Sequence, residues 1–320
     1  MRWFVTGGAG FIGSHFVAHI LDTYPQDEVI CYDALTYAGN LAYIEKYIPD
    51  PRFVFVKGDI CDQKALDDVL SCASVDAVVN FAAESHVDRS IENAQAFLQT
   101  NVVGVGMLLD AVNAYGIPRF HQVSTDEVYG DTAIDEKELR TESHDLRPSS
   151  PYAASKAAAD LLTLSYARTH RTPVTISRSS NNYGTHQHAE KLIPKVISMA
   201  KNHLPVPIYG DGENIRDWLH VKDHCRAIDL IVRFGSVGEI YHVAGGHELS
   251  NNALVAKILS IIKDTQNIHA QTIHVPDRAG HDLRYAISCE KIFKTLGFRP
   301  VTPFDEGLAD TVAWYLANLP

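Results

Sequence analysis

The run Trp3-Phe4-Val5-Thr6-Gly7-Gly8-Ala9-Gly10-Phe11-Ile12-Gly13 is a short apolar strand, a glycine turn and the opening of a helical segment. Glycines at 7, 10 and 13 allow a tight turn, close approach of backbone to a pyrophosphate, and close packing of the helix on the strand. The phosphates would sit on the helix N-terminus, where free N–H groups and the helix dipole favour negative charge. A glycine pattern alone could equally be a plain loop; its place between strand and helix makes it a candidate dinucleotide turn. Phe11 and Ile12, inside that turn, join the candidate cofactor residues.

Moving outward, β-branched or aromatic runs recur at Val29 to Asp33, Phe53 to Lys57, Ala77 to Phe81, Phe120 to Ser124 and Val174 to Ser177, with helix-period stretches between most of them. That alternation predicts an α/β protein: a doubly wound parallel Rossmann sheet with ligands at the carboxyl ends of its strands. The second strand ends at Asp33, twenty positions after Gly13. A carboxylate there accepts hydrogen bonds from both ribose hydroxyls of an adenosine and repels a 2'-phosphate, which selects NAD over NADP. Asp59 and Ile60 after the third strand, and Phe81, Ala82 and Ala83 after the fourth, fall on the same edge.

After Tyr183 the rhythm loosens. Pro194, Pro205 and Pro207 and the loop Gly210-Asp211-Gly212 break the alternation, which predicts a smaller C-terminal α/β substrate domain. The expected division is 1–182 for the cofactor domain and 183–320 for the substrate domain, with a strand near 240–244, Ile240-Tyr241-His242-Val243, returning to the main sheet.

The chain has 320 residues, enough for one large α/β unit with a smaller partner. Its formal net charge of -11 argues against a nucleic-acid partner, since a duplex backbone would be repelled over most of the surface. A small anionic ligand would need a local basic pocket, so the isolated arginines of the second half become candidates. Five cysteines lie scattered without a CxxC pair, which points away from disulfides and thiolate metal sites and toward the reducing cytoplasm. No apolar run approaches the roughly 18 residues a membrane span requires, and the strand starting almost at Met1 leaves no room for a signal peptide. A soluble cytoplasmic protein without a membrane partner is expected.

Two further segments carry chemistry. In Ser150-Pro151-Tyr152-Ala153-Ala154-Ser155-Lys156, Ser150 is a candidate N-cap and Pro151 suits the first turn. Tyr152 and Lys156 then share a helix face, and an ammonium near a phenol, with an oxidised nicotinamide adding positive charge, favours phenolate as a base toward a sugar hydroxyl. In Val123-Ser124-Thr125-Asp126-Glu127-Val128-Tyr129-Gly130, at the end of the fifth strand, successive side chains point to different sides, so Thr125, Asp126 and Glu127 can address different atoms of one ligand. Neighbouring carboxyls in a sheltered pocket tend to split their pKa values, so one becomes an acid and the other a base.

Together the glycine turn, Tyr-x-x-x-Lys and Thr-Asp-Glu resemble the dTDP-glucose 4,6-dehydratases among the extended short-chain dehydrogenases. So do Asp33-Ala34-Leu35-Thr36-Tyr37-Ala38-Gly39-Asn40, Ala83-Glu84-Ser85-His86-Val87-Asp88-Arg89-Ser90 and Lys191-Leu192-Ile193-Pro194. The likeness continues through Asn214-Ile215-Arg216-Asp217-Trp218 and Asp277-Arg278-Ala279-Gly280-His281-Asp282.

The resemblance implies a chemistry, residue by residue. Tyr152 would deprotonate the C4 hydroxyl as hydride passes from C4 to NAD, with Thr125 bonded to the same oxygen and Lys156 lowering the phenol pKa. Glu127 would take the C5 proton and Asp126 would protonate the leaving C6 hydroxyl, after which hydride returns to C6. It further implies cofactor contacts at Ala34, Leu35, Thr36, Ser85, Thr100, Val123, Tyr152, Lys156 and Asn182. Substrate contacts are implied at Ser85, Thr125, Asn181, Lys191, Leu192, Pro207, Ile208, Tyr209, Asn251, Asp277 and His281, with Arg216 and Arg278 on the diphosphate. A homodimer through a helix bundle that includes the Tyr152 helix also follows from the likeness.

Thr185 and Ala279 stand where the family usually has prolines, in loops expected at the substrate. Nucleotide-sugar 4-epimerases and UDP-glucuronate decarboxylases share the cofactor turn and the Tyr/Lys pair, but have no need of an acid and a base side by side after Thr125. A non-enzymatic NAD sensor or structural protein would predict decay of the catalytic set, whereas all five residues are present. Among sixteen histidines, the pairs His186/His188 and His220/His224 lack a carboxylate in zinc spacing, so no metal is expected.

Overall fold

The computed structural model describes residues 1–319. Its strands are β1 (Arg2–Thr6), β2 (Glu28–Asp33), β3 (Phe53–Lys57), β4 (Ala77–Asn80), β5 (Phe120–Thr125), β6 (Val174–Ser179), β7 (Asn181–Tyr183), β8 (Val206–Tyr209), β9 (Ile215–His220), β10 (Ile240–Val243), β11 (Glu248–Ser250) and β12 (Thr272–Val275). Its helices are α1 (Phe11–Thr23), α2 (Gln63–Leu70), α3 (Val87–Glu92), α4 (Gln95–Leu98), α5 (Val105–Ala114), α6 (Pro151–Thr169), α7 (Leu192–Lys201), α8 (Val221–Phe234), α9 (Asn251–Gln266), α10 (Glu290–Leu296) and α11 (Phe304–Asn318).

Seven strands form one parallel sheet in the order β10-β6-β5-β4-β1-β2-β3. The chain winds outward from β1 in one direction, then crosses to β4 and winds the other way, so the switch point lies between β1 and β4. Alternate side chains of each strand face opposite layers. Trp3 and Val5 pack with Phe16 and Val17 of α1 and with Val221, Cys225 and Ile228 of α8. Phe4 faces the other way, toward Leu66 and Leu70 of α2, Leu108 and Leu109 of α5, and Ala159 of α6. Both faces are covered, which is why these strands read as continuous apolar runs.

The chain leaves this sheet after Ser179. It builds a separate core in which Ile193, Ile197, Trp218, Leu254, Ile258, Leu308 and Val312 meet, flanked by the ribbons β11-β9-β7 and β12-β8. The returning segment is longer than the expected strand: α8 comes back onto α1 before β10 pairs with β6. Its burial pattern, nine of fourteen positions buried, is that of a layer helix rather than of a surface excursion. Several strand ends also move: β5 runs on to Thr125 and β6 to Ser179. β4 stops at Asn80, and Phe81 lies outside it, because the chain must leave the sheet there to run past Gly7.

Candidate active site

The carboxyl ends of β1, β2, β4, β5 and β6 meet at the switch point, and the glycine turn sits in the middle of them. Gly7 has φ +66° and a Cβ there would stand 2.6 Å from the Ala82 nitrogen; at Gly13 it would stand 2.2 Å from the Gly7 carbonyl oxygen. Both positions therefore exclude any side chain. The N-cap of α1, Gly10, supplies no side-chain acceptor, so the first N–H groups of the helix are left for a ligand. Asp33 accepts from the Ala9 nitrogen at 2.9 Å and from the Leu35 nitrogen at 2.7 Å, one bond per carboxylate oxygen. Each oxygen keeps acceptor capacity for a ribose hydroxyl. This cradle fits a dinucleotide.

Asp59, Ile60, Ala82, Ala83 and Ser85 follow β3 and β4 along the same edge. Thr100 lies in a π-helical turn, Gln99–Gly104, that joins α4 to α5. Asn101 in that turn donates to the Glu84 carbonyl and the Ser155 hydroxyl and accepts from the Glu84 nitrogen, tying the loop after β4 to α6. Asn182 is occupied by Ser179, Ser180 and His224.

Ser150 caps α6 by accepting from the Ala153 nitrogen at 3.1 Å, and Pro151 occupies the first turn as its fixed φ favours. The cap sets the rotation of the helix, and that rotation turns Tyr152 and Lys156 toward the end of β5. Lys156 is buried, and its ammonium donates to the Val123 carbonyl at 2.6 Å. Burial lowers its pKa from 10.5 to about 8. Tyr152 is pushed well above the ordinary phenol range by burial first, then by the charges of Glu127 and Asp126, while the Thr125 hydroxyl pulls it down. In the protein alone, burial and the two carboxylates both act against phenolate. An oxidised nicotinamide would add positive charge that favours phenolate.

Thr125 ends β5, and its hydroxyl accepts from the Glu127 nitrogen at 3.2 Å and contacts Asp126 Oδ1 at 3.2 Å. That cap starts a 3₁₀ turn, Asp126–Tyr129, and sends the two carboxyls to different surroundings. Asp126 is buried, and desolvation, followed by the neighbouring Glu127 charge, raises its pKa well above the carboxylate range. Glu127 is also raised by desolvation, but Arg278, Arg216 and Lys191 all act to lower it. The two carboxyls thus differ in surroundings: burial dominates at Asp126, while three cations oppose it at Glu127.

Those cations make the local basic pocket expected within an acidic chain. Lys191 donates to the Ser85 carbonyl at 2.7 Å, joining the smaller core's α7 to the loop after β4. Arg278 reaches Asp88 at 3.6 Å and its Nε has no partner among the described residues. Arg216 is less free than a bidentate clamp requires: it donates to the carbonyls of Ile215, Asp282 and Leu283 and lies 4.5 Å from the Tyr285 ring centroid. Its carbonyl partners fix the guanidinium in place and leave part of its donor fork for a phosphate.

Asn181 opens β7, Leu192 begins α7, Asn251 begins α9, and Pro207, Ile208 and Tyr209 lie in β8. The Ile208 side chain is buried in the smaller core, so a ligand would meet its main chain. Asp277 and His281 bond each other at 2.7 Å in the loop that carries Arg278 and Ala279. The Thr185 hydroxyl is 3.0 Å from His15 Nε2 on α1, so its side chain faces the cofactor helix. The chain turns at Gly184, φ +145°, against Val221, which sends the loop back toward α1. His186 stacks on Tyr43 at 4.1 Å, and His224 bonds Asn182, so these histidines serve packing and polar roles.

A family model described as GDP-mannose 4,6 dehydratase matches residues 4–311. The chain belongs to this family. It is 49% identical to the low-salt glycan biosynthesis protein Agl12 of Haloferax volcanii, with 98% of each chain covered. It is 47% identical to a dTDP-glucose 4,6-dehydratase of an Actinoplanes species, covering 99% of this chain and 98% of the relative. A solved dTDP-glucose 4,6-dehydratase, DesIV of Streptomyces venezuelae with NAD bound, superposes with a TM-score of 0.94 at 49% identity, covering 99% and 98% of the two chains. Within the family frame, motif reading missed Asn101, Asp160 and Arg178, which lie outside the quoted motifs. Asp160 follows Lys156 by one helical turn, and that spacing is the signal that could have found it.

Proposed function

We propose that this chain dehydrates dTDP-glucose to its 4-keto-6-deoxy sugar, using NAD that is recycled within each turnover. The observation that carries the reading is the adjacency of two carboxyls at the end of β5, Asp126 buried against the Thr125 hydroxyl and Glu127 in the field of Arg278, Arg216 and Lys191; burial raises both, Asp126 well above its ordinary value. The family membership, the relatives named dTDP-glucose 4,6-dehydratase and the NAD-bound neighbour support substrate and cofactor. An epimerase or a decarboxylase has no use for such a pair.

NAD, when bound, accepts a hydride from C4 and later gives one to C6. The protein supplies the rest. Tyr152 takes the C4 hydroxyl proton, with Thr125 bonded to the same oxygen and Lys156 supporting the phenolate. Glu127 takes the proton from C5, made acidic by the C4 ketone, and Asp126 gives its proton to the departing C6 hydroxyl, so one water leaves. Glu127 then returns its proton to C5. Arg216, Arg278 and Lys191 hold the diphosphate and sugar. In this reading the cofactor work falls to 1–182 with the returning segment 221–243, and the substrate work to the remainder.

A homodimer through the α6 helix is part of the same proposal. Leu161 on α6 (58% exposed), Leu98 on α4 (49%) and Val103 in the π-helical turn (43%) are apolar side chains left in solvent on adjoining elements. Among the described residues no helix is long and apolar enough to cross a membrane, and a cytoplasmic location accords with the scattered free cysteines.

The test is incubation with dTDP-glucose deuterated at C4, without added NAD. Product should form and carry deuterium at C6. Accumulation of NADH in step with product would contradict the proposal.

A further inference from the structure

Beneath Tyr152 runs a buried polar chain that none of the sequence motifs assigns. It begins at Lys156, whose ammonium has the Val123 carbonyl as its hydrogen-bond partner. One turn along α6, Asp160 is 0% exposed. One of its carboxylate oxygens accepts from Arg178 Nε at 2.8 Å, and the other, Oδ1, has no hydrogen-bond partner among the described residues. Arg178, on β6, is 2% exposed and also donates to the Tyr129 hydroxyl at 2.5 Å. The Tyr129 hydroxyl meets His242 Nε2 at 2.6 Å, and His242 Nδ1 meets the Ser288 carbonyl at 3.1 Å.

The direction of this chain follows from its end. A carbonyl can only accept, so His242 Nδ1 carries the hydrogen and Nε2 accepts from Tyr129, whose oxygen is then free to accept from Arg178. Every group beyond Arg178 is satisfied with a neutral imidazole, and burial keeps His242 neutral by lowering its pKa to about 3. What remains is two buried cations near one buried carboxylate: Arg178 bonds Asp160 directly, and Lys156 stands one helical turn from it with the Val123 carbonyl as its own partner. Such a set seldom stabilises a fold better than apolar side chains of the same volume. An unaccompanied buried ammonium, however, sheds its proton.

We propose that Asp160, kept ionised by Arg178, is a positioning residue that holds the Lys156 ammonium in its charged form at the floor of the site, and so sets the alkaline limit of turnover. The proposal rests on the reading of Tyr152 and Lys156 given above. Groups on the packed elements bear it out by their placement. From β5 come the Val123 carbonyl and the Ser124 and Thr125 hydroxyls, and from β6 comes Arg178. The turn after β5 brings Asp126, Glu127 and Tyr129, and α6 itself brings Tyr152 and Asp160. Of these, Asp160 is the charge that opposes the effect of burial on Lys156. Burial pushes Asp160 up in turn, and Arg178 leads the groups that hold it down.

The experiment measures kcat and kcat/KM against pH for the NAD-loaded wild type, Asp160→Asn, Asp160→Glu and the double variant Asp160→Asn/Arg178→Met. The double variant removes the Asp160–Arg178 ion pair whole, so the Arg178 charge is not orphaned if the single variant fails to fold. The alkaline limb should move to lower pH by about one unit or more in the Asn variants, because each unit reflects one decade in proton affinity. KM should stay near wild type, since Asp160 touches no substrate, and Asp160→Glu should keep the limb where it was. A second readout needs no turnover: the pH at which Lys156→Met begins to differ in stability from its parent should fall by the same amount in an Asp160→Asn background. A folded double variant with an unmoved alkaline limb would overturn the role of Asp160, as would a charge-keeping Asp160→Glu whose limb moves as far as that of the Asn variant. Lys156→Met separates this outcome from the parent reading, because turnover retained there would remove Lys156 from the chemistry altogether.

Discussion

Replacing Lys156 by Met should make the protein's stability respond differently to pH, by an amount that can be worked from the site. Lys156 is 5% exposed, and burial takes its pKa from 10.5 to about 8. A proton that the folded state binds more weakly than the unfolded state costs stability wherever both states hold it, which here means below pH 8. That cost is relieved as pH rises from the folded value toward the unfolded one. Wild type should therefore gain on Lys156→Met between pH 8 and 10.5, by about 2.5 kcal/mol at pH 10. The hydrogen bond lost to the Val123 carbonyl shifts the two curves by a constant and leaves their divergence intact. Urea midpoints of both proteins without added ligand, from pH 7 to pH 10, give the two curves. Curves that run parallel across that range would mean that Lys156 is not a buried ammonium, and the electrostatic account of the site would fall with it.

Two further outcomes are expected. Asp126→Asn and Glu127→Gln should each lose about 10²- to 10⁴-fold in overall turnover while still forming bound NADH from dTDP-glucose. Exchange of the C5 proton with deuterated solvent should nearly stop in Glu127→Gln and persist in Asp126→Asn; near-normal conversion by both would move the chemistry away from this pair. At the α6 surface, Leu161→Arg should shift the protein toward monomer in sedimentation without loss of secondary structure, and an unchanged oligomeric state would place the interface elsewhere.

The winding of the large sheet was legible along the chain because its information is local. β-branched and aromatic residues in short runs favour strand locally, so Phe53–Lys57 and Ile240–Val243 appear in the structure at the bounds their residues imply. The roles of the glycines were readable too, since a Cβ at residue 7 or 13 has nowhere to go. Ser150 and Pro151 marked the start of α6 for an equally local reason. The pairing of Tyr152 with Lys156, and of Asp126 with Glu127, could be seen as spacing.

What spacing could not settle was the charge state of any of these groups, because pKa values depend on neighbours far away in sequence. Burial and the Glu127 charge raise Asp126, and the cations that act to lower Glu127, Arg278, Arg216 and Lys191, arrive only from the second core. Thr185 could be placed in a loop but not turned toward His15, a contact across 170 residues of chain. Asp160 and Arg178 are eighteen positions apart in sequence and 2.8 Å apart in space. Neither carries a motif, and only the packing of α6 on β6 makes them a pair. Residue types and their periods decided which elements form and where the ligand edge lies; the tertiary structure alone decided which buried side chains keep their charge.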